Sequence, residues 1–292
     1  MRPRYKQEPT NCVGLHGHDI TRIAQQVQTK AAFLDGMPMG YVISSVLAGV
    51  YLGFGIVLIF SVGAPFAAAG DAAQKVVMGG TFGLALMLVI FAGAELFTGN
   101  NMTCAVGALS RAISWRMVGR MWILSLTGNL IGSLVLAWLV VQSGVLSHAP
   151  QSDVLMKAAA LKMNLSGWEL FVRGILCNWL VCLAVWMAGR LSSETARLIA
   201  ISWCLLAFVG SGYEHSIANQ SLLSMALFLP HPDTVTWTGF LYNQLWVLPG
   251  NVIGGSLCVG VLYWLAGAPL ALRHAESPVP TGSALSIRSV QT

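Results

Sequence analysis

Two apolar stretches of this chain are each long enough to cross a bilayer, and each is interrupted by an acid in the same setting. The first interruption is Gly93-Ala94-Glu95-Leu96-Phe97-Thr98-Gly99-Asn100 and the second is Gly212-Tyr213-Glu214-His215-Ser216-Ile217-Ala218-Asn219, so both read Gly-x-Glu-x-x-x-x-Asn. An ionisable group at membrane depth costs about 3 to more than 10 kcal/mol, so it persists where it has a partner or a task. A second motif repeats in the same order. Leu126-Thr127-Gly128-Asn129-Leu130-Ile131-Gly132 and Leu248-Pro249-Gly250-Asn251-Val252-Ile253-Gly254 both read Leu-x-Gly-Asn-x-Ile-Gly. Gly-marked polar interruptions at corresponding positions are the mark of a transporter or channel built from two related halves.

The composition agrees. The chain is 55% hydrophobic and only 9% charged, with mean hydropathy +0.69, against about a quarter charged in soluble domains. The net charge of +5 forms no basic stripe with interleaved aromatics, which argues against nucleic acid as a partner. Arg2, Arg4 and Lys6 are followed by polar residues rather than an apolar core and cleavage site, so no cleaved signal peptide is expected. Cys12, Cys104, Cys177, Cys182, Cys204 and Cys258 lie mostly in apolar runs and show no zinc or haem spacing. They read as packing residues, so neither a metal, a cofactor nor a disulfide framework is expected.

A span needs about 20 apolar residues. Six candidates follow, at about 40–62, 77–109, 117–141, 168–188, 196–228 and 237–266. The second and fifth carry the interruptions and are expected to be broken helices facing a central path, because irregular backbone at that depth survives only where protein or a cavity satisfies it. Three spans per half force the halves into opposite orientations. The expected fold is therefore an all-α membrane protein with six transmembrane helices in a 3+3 inverted repeat, although the first and fourth spans match poorly. Residues 1–36 are expected to form a cytoplasmic N-terminal segment with a surface helix at 18–36. Residues 37–268 would form the six-span channel domain, and 269–292 a disordered cytoplasmic tail.

Charge sets the orientation. The N-terminal cations, Arg111, Arg116, Arg120, Arg190, Arg197, Arg273 and Arg288 share one side, against Lys75, Lys157, Lys162 and Arg173 on the other. By the positive-inside rule both termini are cytoplasmic. Lys157 and Lys162 then fall in a long outer loop between spans three and four.

At the first interruption, at Gly174-Ile175-Leu176-Cys177-Asn178-Trp179-Leu180-Val181-Cys182-Leu183-Ala184 and around His215, the chain resembles the formate/nitrite transporter family. The similarity spans about residues 25–268. It is nearest the bacterial nitrite branch through Leu176 to Cys182 and Ser202-Trp203-Cys204-Leu205-Leu206-Ala207-Phe208. The segment before Gln25 and the Asn100-Asn101 pair depart from that branch. The resemblance implies an aquaporin-like fold, a homopentamer with one pore per subunit, and transport of small monovalent anions across the bacterial inner membrane. It carries Thr98 over as the threonine of the first break and His215 as the central pore histidine. Phe82, Leu86, Leu96, Phe97 and Phe208 match constriction residues, and Lys162, Asn178 and Asn219 match polar residues that support the path.

A pore for such an anion needs an electrostatic attractor, a polar station at mid-depth and gates that exclude larger ions. Lys162 is the candidate attractor. His215, whose free pKa is about 6.5, would hydrogen-bond the anion and hand it a proton, with Thr98 bonding the ring or the ion. Phe82, Leu96 and Phe208 would form dry constrictions. Glu95 and Glu214 would repel an anion from the pore wall, so they read as scaffold that accepts backbone N–H groups freed at the breaks. Nitrite is the first expected substrate, with formate and hydrosulfide as near-isosteres and protons and membrane lipid as further partners. A membrane enzyme using His215 and Glu214 lacks a nucleophile, a metal set or a cofactor loop. A neutral-solute pore of the aquaporin kind lacks its Asn-Pro-Ala repeats.

Overall fold

The computed structural model describes residues 16–267. The expected tail at 269–292, the start of the N-terminal segment and Cys12, Arg2, Arg4, Lys6, Arg273 and Arg288 lie outside the described residues. Every regular element among the described residues is a helix, as a bilayer demands of a chain with no closed barrel. Six helices are long and apolar enough to cross a membrane.

Helix α1 (Gly17–Gly36) buries Ile20, Ile23, Val27, Ala31 and Leu34, a stripe at three- and four-residue spacing. Helix α2 (Pro38–Ala68) is the first span. The second span is α3 (Gln74–Thr81) and α4 (Gly83–Phe91) end to end, and α5 (Phe97–Leu109) follows the interruption. Helix α6 (Trp115–Ser143) completes the first half. The second half runs α7 (Gln151–Asn164), α8 (Gly167–Arg190), α9 (Glu194–Ser211), α10 (Ser216–Phe228) and α11 (Trp237–Gly255). Beyond α11 a π-helical turn, Ser256–Val261, carries the last span on to Gly267. Serine or threonine caps admit the chain to four of these helices: Ser114, Ser166, Ser193 and Thr236 accept backbone N–H groups of Met117, Glu169, Ala196 and Gly239.

Both interruptions are true breaks. Gly93 and Gly212 adopt φ of +78° and +74°, a left-handed turn that only glycine enters freely. The following N–H groups, of Ala94 and Tyr213, reach back to the carbonyls of Val89 and Phe208 at 2.9 and 3.1 Å. That closes α4 and α9 in the same way and explains the glycine that opens each motif. Helices α5 and α10 have 13 residues each, so they are about 20 Å long, too short to cross a ~30 Å hydrocarbon core. They are half-helices wrapped in protein: every residue of α10 from Ser216 to Leu227 is buried.

The connection between spans three and four is α7, where a loop carrying Lys157 and Lys162 was expected. Its buried residues are Leu155, Ala159 and Met163, and at 14 residues it is too short to cross a bilayer but long enough to dock as a surface helix. This corrects the reach of the repeat. Helix α7 precedes α8 as α1 precedes α2, so each half begins with a short helix packed outside the spans.

The glycines of the second repeated motif bring span pairs into backbone contact. A side chain at Gly132 would meet the carbonyl of Val46, and one at Gly254 the carbonyl of Ile175. Helix α6 thus lies against α2 as α11 lies against α8. The first and fourth spans are equivalent in packing although their sequences are not.

Candidate functional site

The site assembles around the two breaks. At the first, the Asn129 carboxamide oxygen accepts the N–H of Phe97 at 2.9 Å, while its NH2 donates to the carbonyls of Ser45 and Glu95 at 2.7 and 3.0 Å. At the second, Asn251 accepts from the N–H of Ser216 at 2.8 Å and donates to the carbonyls of Gly174 and Glu214 at 2.8 and 2.9 Å. The asparagine of each Leu-x-Gly-Asn-x-Ile-Gly motif therefore stitches a broken backbone to two neighbouring spans. The N–H groups of Glu95 and Glu214 go to the carbonyls of Ser44 and Arg173.

The carboxylates do something other than expected. Glu95 accepts from the Lys30 ammonium and the Asn100 amide, both at 3.0 Å. Glu214 accepts from Lys162 at 2.8 Å and from Asn219 at 2.6 Å. Neither is bound to a freed backbone N–H, because the asparagines of α6 and α11 have taken that task. Each acid instead anchors a lysine from the short outer helix of its own half, Lys30 from α1 or Lys162 from α7. Lys162 is therefore a partnered cation, with its side chain 19% exposed, and no free charge at a mouth. Asn219 also donates to Asn243, whose own amide donates to the carbonyl of Lys162 at 2.9 Å. Asn100 reaches the Tyr41 hydroxyl.

The first turns of the two half-helices meet at the centre. Thr98 Oγ1 lies 3.1 Å from His215 Nε2, and both residues are buried. His215 is the N-cap of α10: its Nδ1 accepts the N–H of Ala218 at 3.1 Å. That bond assigns the hydrogen of the neutral ring to Nε2. Nε2–H then donates to Thr98 Oγ1, and the threonine's own hydrogen is left for another acceptor. Protonating the ring would put a hydrogen on Nδ1 as well, which displaces the Ala218 contact.

Aromatic side chains flank the pair. Phe208 stacks on the His215 ring at 6.0 Å, and Phe82, at the junction of α3 and α4, meets Phe208 edge-on at 5.5 Å. Leu86 and Leu96 line a cavity of about 630 Å³ that opens beside the first break. Phe97 packs edge-on against Trp122 at 6.3 Å, outside that lining. Asn178 donates to the carbonyls of Thr98 and Asn251 at 3.2 and 2.7 Å, so its amide ties the first turn of α5 to α11, the helix whose Asn251 side chain holds the second break. Sequence reasoning missed Lys30, Tyr41 and Asn243 as members of this site. Lys30 had a signal, a lone cation on the inner half of an amphipathic helix.

The arrangement defines a class: a membrane protein of two inverted halves whose half-helices aim their N-termini at one buried polar point. Comparison with known proteins gives the family. The formate/nitrite transporter family model matches residues 18–265. The nitrite transporter NirC of Salmonella typhimurium is 42% identical over 264 residues, covering 89% of this chain and 95% of that protein. A solved FNT family ion channel superposes with TM-score 0.81 at 40% identity, covering 85% of this chain and 98% of that one. A pentameric formate channel solved with formate bound gives TM-score 0.69 at 28% identity over 78% and 96% of the two chains. The chain belongs to the formate/nitrite transporter family.

Proposed function

We propose that this chain conducts small monovalent anions, nitrite foremost, through a pore of its own that passes the Thr98–His215 pair. The observation that carries this reading is the meeting of two half-helix N-termini at that pair. Each helix start carries about half a positive charge in its unpaired N–H groups. Two of them aimed at one buried point favour an anion without placing a fixed cation there. The Thr98 hydroxyl hydrogen, unused by His215, is the natural donor to the anion.

Phe82, Phe208, Leu86 and Leu96 are dry collars on either side of this station, excluding ions that hold their water tightly. Phe97, Asn178, Asn219, Glu95, Glu214 and Lys162 hold the breaks in place. The 42% identity to a nitrite transporter supports nitrite as substrate. Formate and hydrosulfide share its size and charge. The solved pentameric relative supports a homopentamer. It sits in the lipid of a bacterial inner membrane, and the excess of cations on one side of the spans favours both termini being cytoplasmic. A proton travels with the anion when the ring releases Ala218, takes a proton from water at Nδ1 and passes its Nε2 hydrogen by way of the Thr98 hydroxyl to the anion, which leaves a neutral ring with its hydrogen on Nδ1.

The test is flux into liposomes of the purified protein, comparing nitrite, formate, hydrosulfide and glycerol. Nitrite entry above that of glycerol is expected. Glycerol entry with no anion entry would overturn the proposal in favour of a neutral-solute pore.

A further inference from the structure

The turn between α5 and α6 gathers cations that the site around the breaks does not use. Arg111 lies in the turn, and Arg116 and Arg120 follow it, four residues apart on the exposed side of α6. None of the three lines the cavity beside the first break. Arg120 bonds Asp35 at 2.7 Å, whereas Arg111 and Arg116 have no carboxylate partner among the described residues. Other cations on this side are spent: Lys30 on Glu95, and Arg22 and Arg190 on Asp19. Two contacts seat the turn on α1. Gln28 donates to the carbonyl of Ala112 at 3.3 Å, and Arg120 reaches Asp35 at the end of α1.

Arg111 stands where a glycine is expected. Its N–H reaches the Ala108 carbonyl at 3.0 Å, and that of Ala112 reaches the Gly107 carbonyl at 2.8 Å. Helix α5 therefore closes through a left-handed residue, as α4 and α9 do, but with φ of +57° on an arginine. Among the described residues it is the one non-glycine in that region, which strains any residue with a Cβ. The inverted repeat shows that the fold does not require the cations. Ser114 and Trp115 correspond to Thr236 and Trp237: each pair caps and opens a helix, and the two tryptophans are 61% and 52% exposed. Exposed tryptophan at the end of a span marks the headgroup level. In the second half Thr238 and Tyr242 stand in place of Arg116 and Arg120, and no Lys or Arg occurs from Leu229 to Gly255. Below the arginines the exposed side of α6 continues as Ile123, Ile131 and Val135 at helical spacing.

We infer that the α5–α6 turn binds the headgroup of an anionic phospholipid, with Arg111 and Arg116 on its phosphate, Trp115 beside them and the acyl chains along Ile123, Ile131 and Val135. The planar guanidinium presents paired N–H donors that match two phosphate oxygens, and it sheds water more readily than an ammonium does. The apolar stripe is what favours a lipid over free phosphate, which would engage the arginines and leave the stripe bare. The site lies apart from the proposed path and does not depend on what the path conducts. A lipid held here steadies the turn that Gln28 and Arg120 tie to α1, the helix whose Lys30 anchors Glu95.

Native mass spectrometry of the purified full chain in detergent tests this, with phosphatidylglycerol, phosphatidylcholine and inorganic phosphate as the added probes. Phosphatidylglycerol is expected to bind the wild type about tenfold more tightly than phosphatidylcholine, and Arg116→Gln to weaken it about fivefold. Arg111→Gly separates binding from folding, because it removes the charge and relieves the left-handed strain together. It should weaken phosphatidylglycerol about fivefold while the unfolding temperature in phosphatidylcholine micelles holds or rises. Arg197→Gln removes one cation from the start of α9 on the same side and should change phosphatidylglycerol binding less than about twofold, since general attraction to a cationic face is not at issue. Equal binding of the two lipids by the wild type, or a loss in Arg197→Gln as large as that in Arg116→Gln, would overturn the site. Displacement of phosphatidylglycerol by inorganic phosphate at equal concentration would overturn the lipid as its ligand.

Discussion

His215 has two tasks that one substitution separates. As N-cap it holds the Ala218 N–H, and through Nε2 it holds Thr98. Asparagine is among the best N-cap residues, so His215→Asn should keep the cap and the assembly while removing the titratable ring. The expected result is a nitrite flux that has lost the pH dependence of the wild type. Unchanged rate and unchanged pH dependence would refute proton handling by the ring. Asn129 and Asn251 are the other residues on which the centre depends, with three hydrogen bonds each. Replacing either by leucine leaves a buried N–H and the carbonyl of the break, Glu95 or Glu214, unpaired, at about 1–3 kcal/mol per group. Thermal unfolding in detergent should report a large loss for both variants. The sequence made these asparagines visible as half of a repeat, but not their partners, because a hydrogen bond across spans leaves no local pattern. The same gap led Glu95 and Glu214 to be read as backbone acceptors. An acid in a break must be satisfied, and the sequence alone does not say that a lysine 52 residues away in the chain does it.

Among the elements, the outer helices α1 and α7 are the most telling in structure, and α7 is the one least legible in sequence. Hydropathy finds spans, so α1 was visible through its apolar stripe, whereas α7, with three buried residues, passed for a loop. Each delivers one lysine to one broken helix. Breaking a buried ion pair by removing one partner costs about 3–5 kcal/mol because the other charge is stranded. Glu214→Gln should therefore reduce thermal stability and oligomer yield more than it changes the ratio of nitrite to formate flux, and pairing it with Lys162→Met should recover much of the loss. A preserved oligomer with altered ion preference would show that Glu214 faces the substrate instead. The breaks themselves were legible, since Gly93 and Gly212 mark the left-handed turns that end α4 and α9.

For the whole molecule, the inverted repeat is a statement about packing more than about sequence identity. Gly132 against Val46 and Gly254 against Ile175 are equivalent contacts, although the spans they touch align poorly as letters. Gly132→Leu and Gly254→Leu should each push a span pair apart and abolish folded protein, read as loss of the monodisperse peak in size-exclusion chromatography. The halves are not identical where they meet. Thr98 of one half faces His215 of the other, and Asn178 of the second half bonds the Thr98 carbonyl of the first. The proposed path is therefore polar at one point where the halves meet and apolar around it. Nitrite flux into liposomes carrying Thr98→Val tests this most directly, because valine keeps the shape of threonine and deletes the hydroxyl. The account predicts at least about a tenfold fall in flux, the equivalent of ~1.4 kcal/mol in the barrier, with assembly unchanged. Nitrite flux equal to that of the wild type would contradict it.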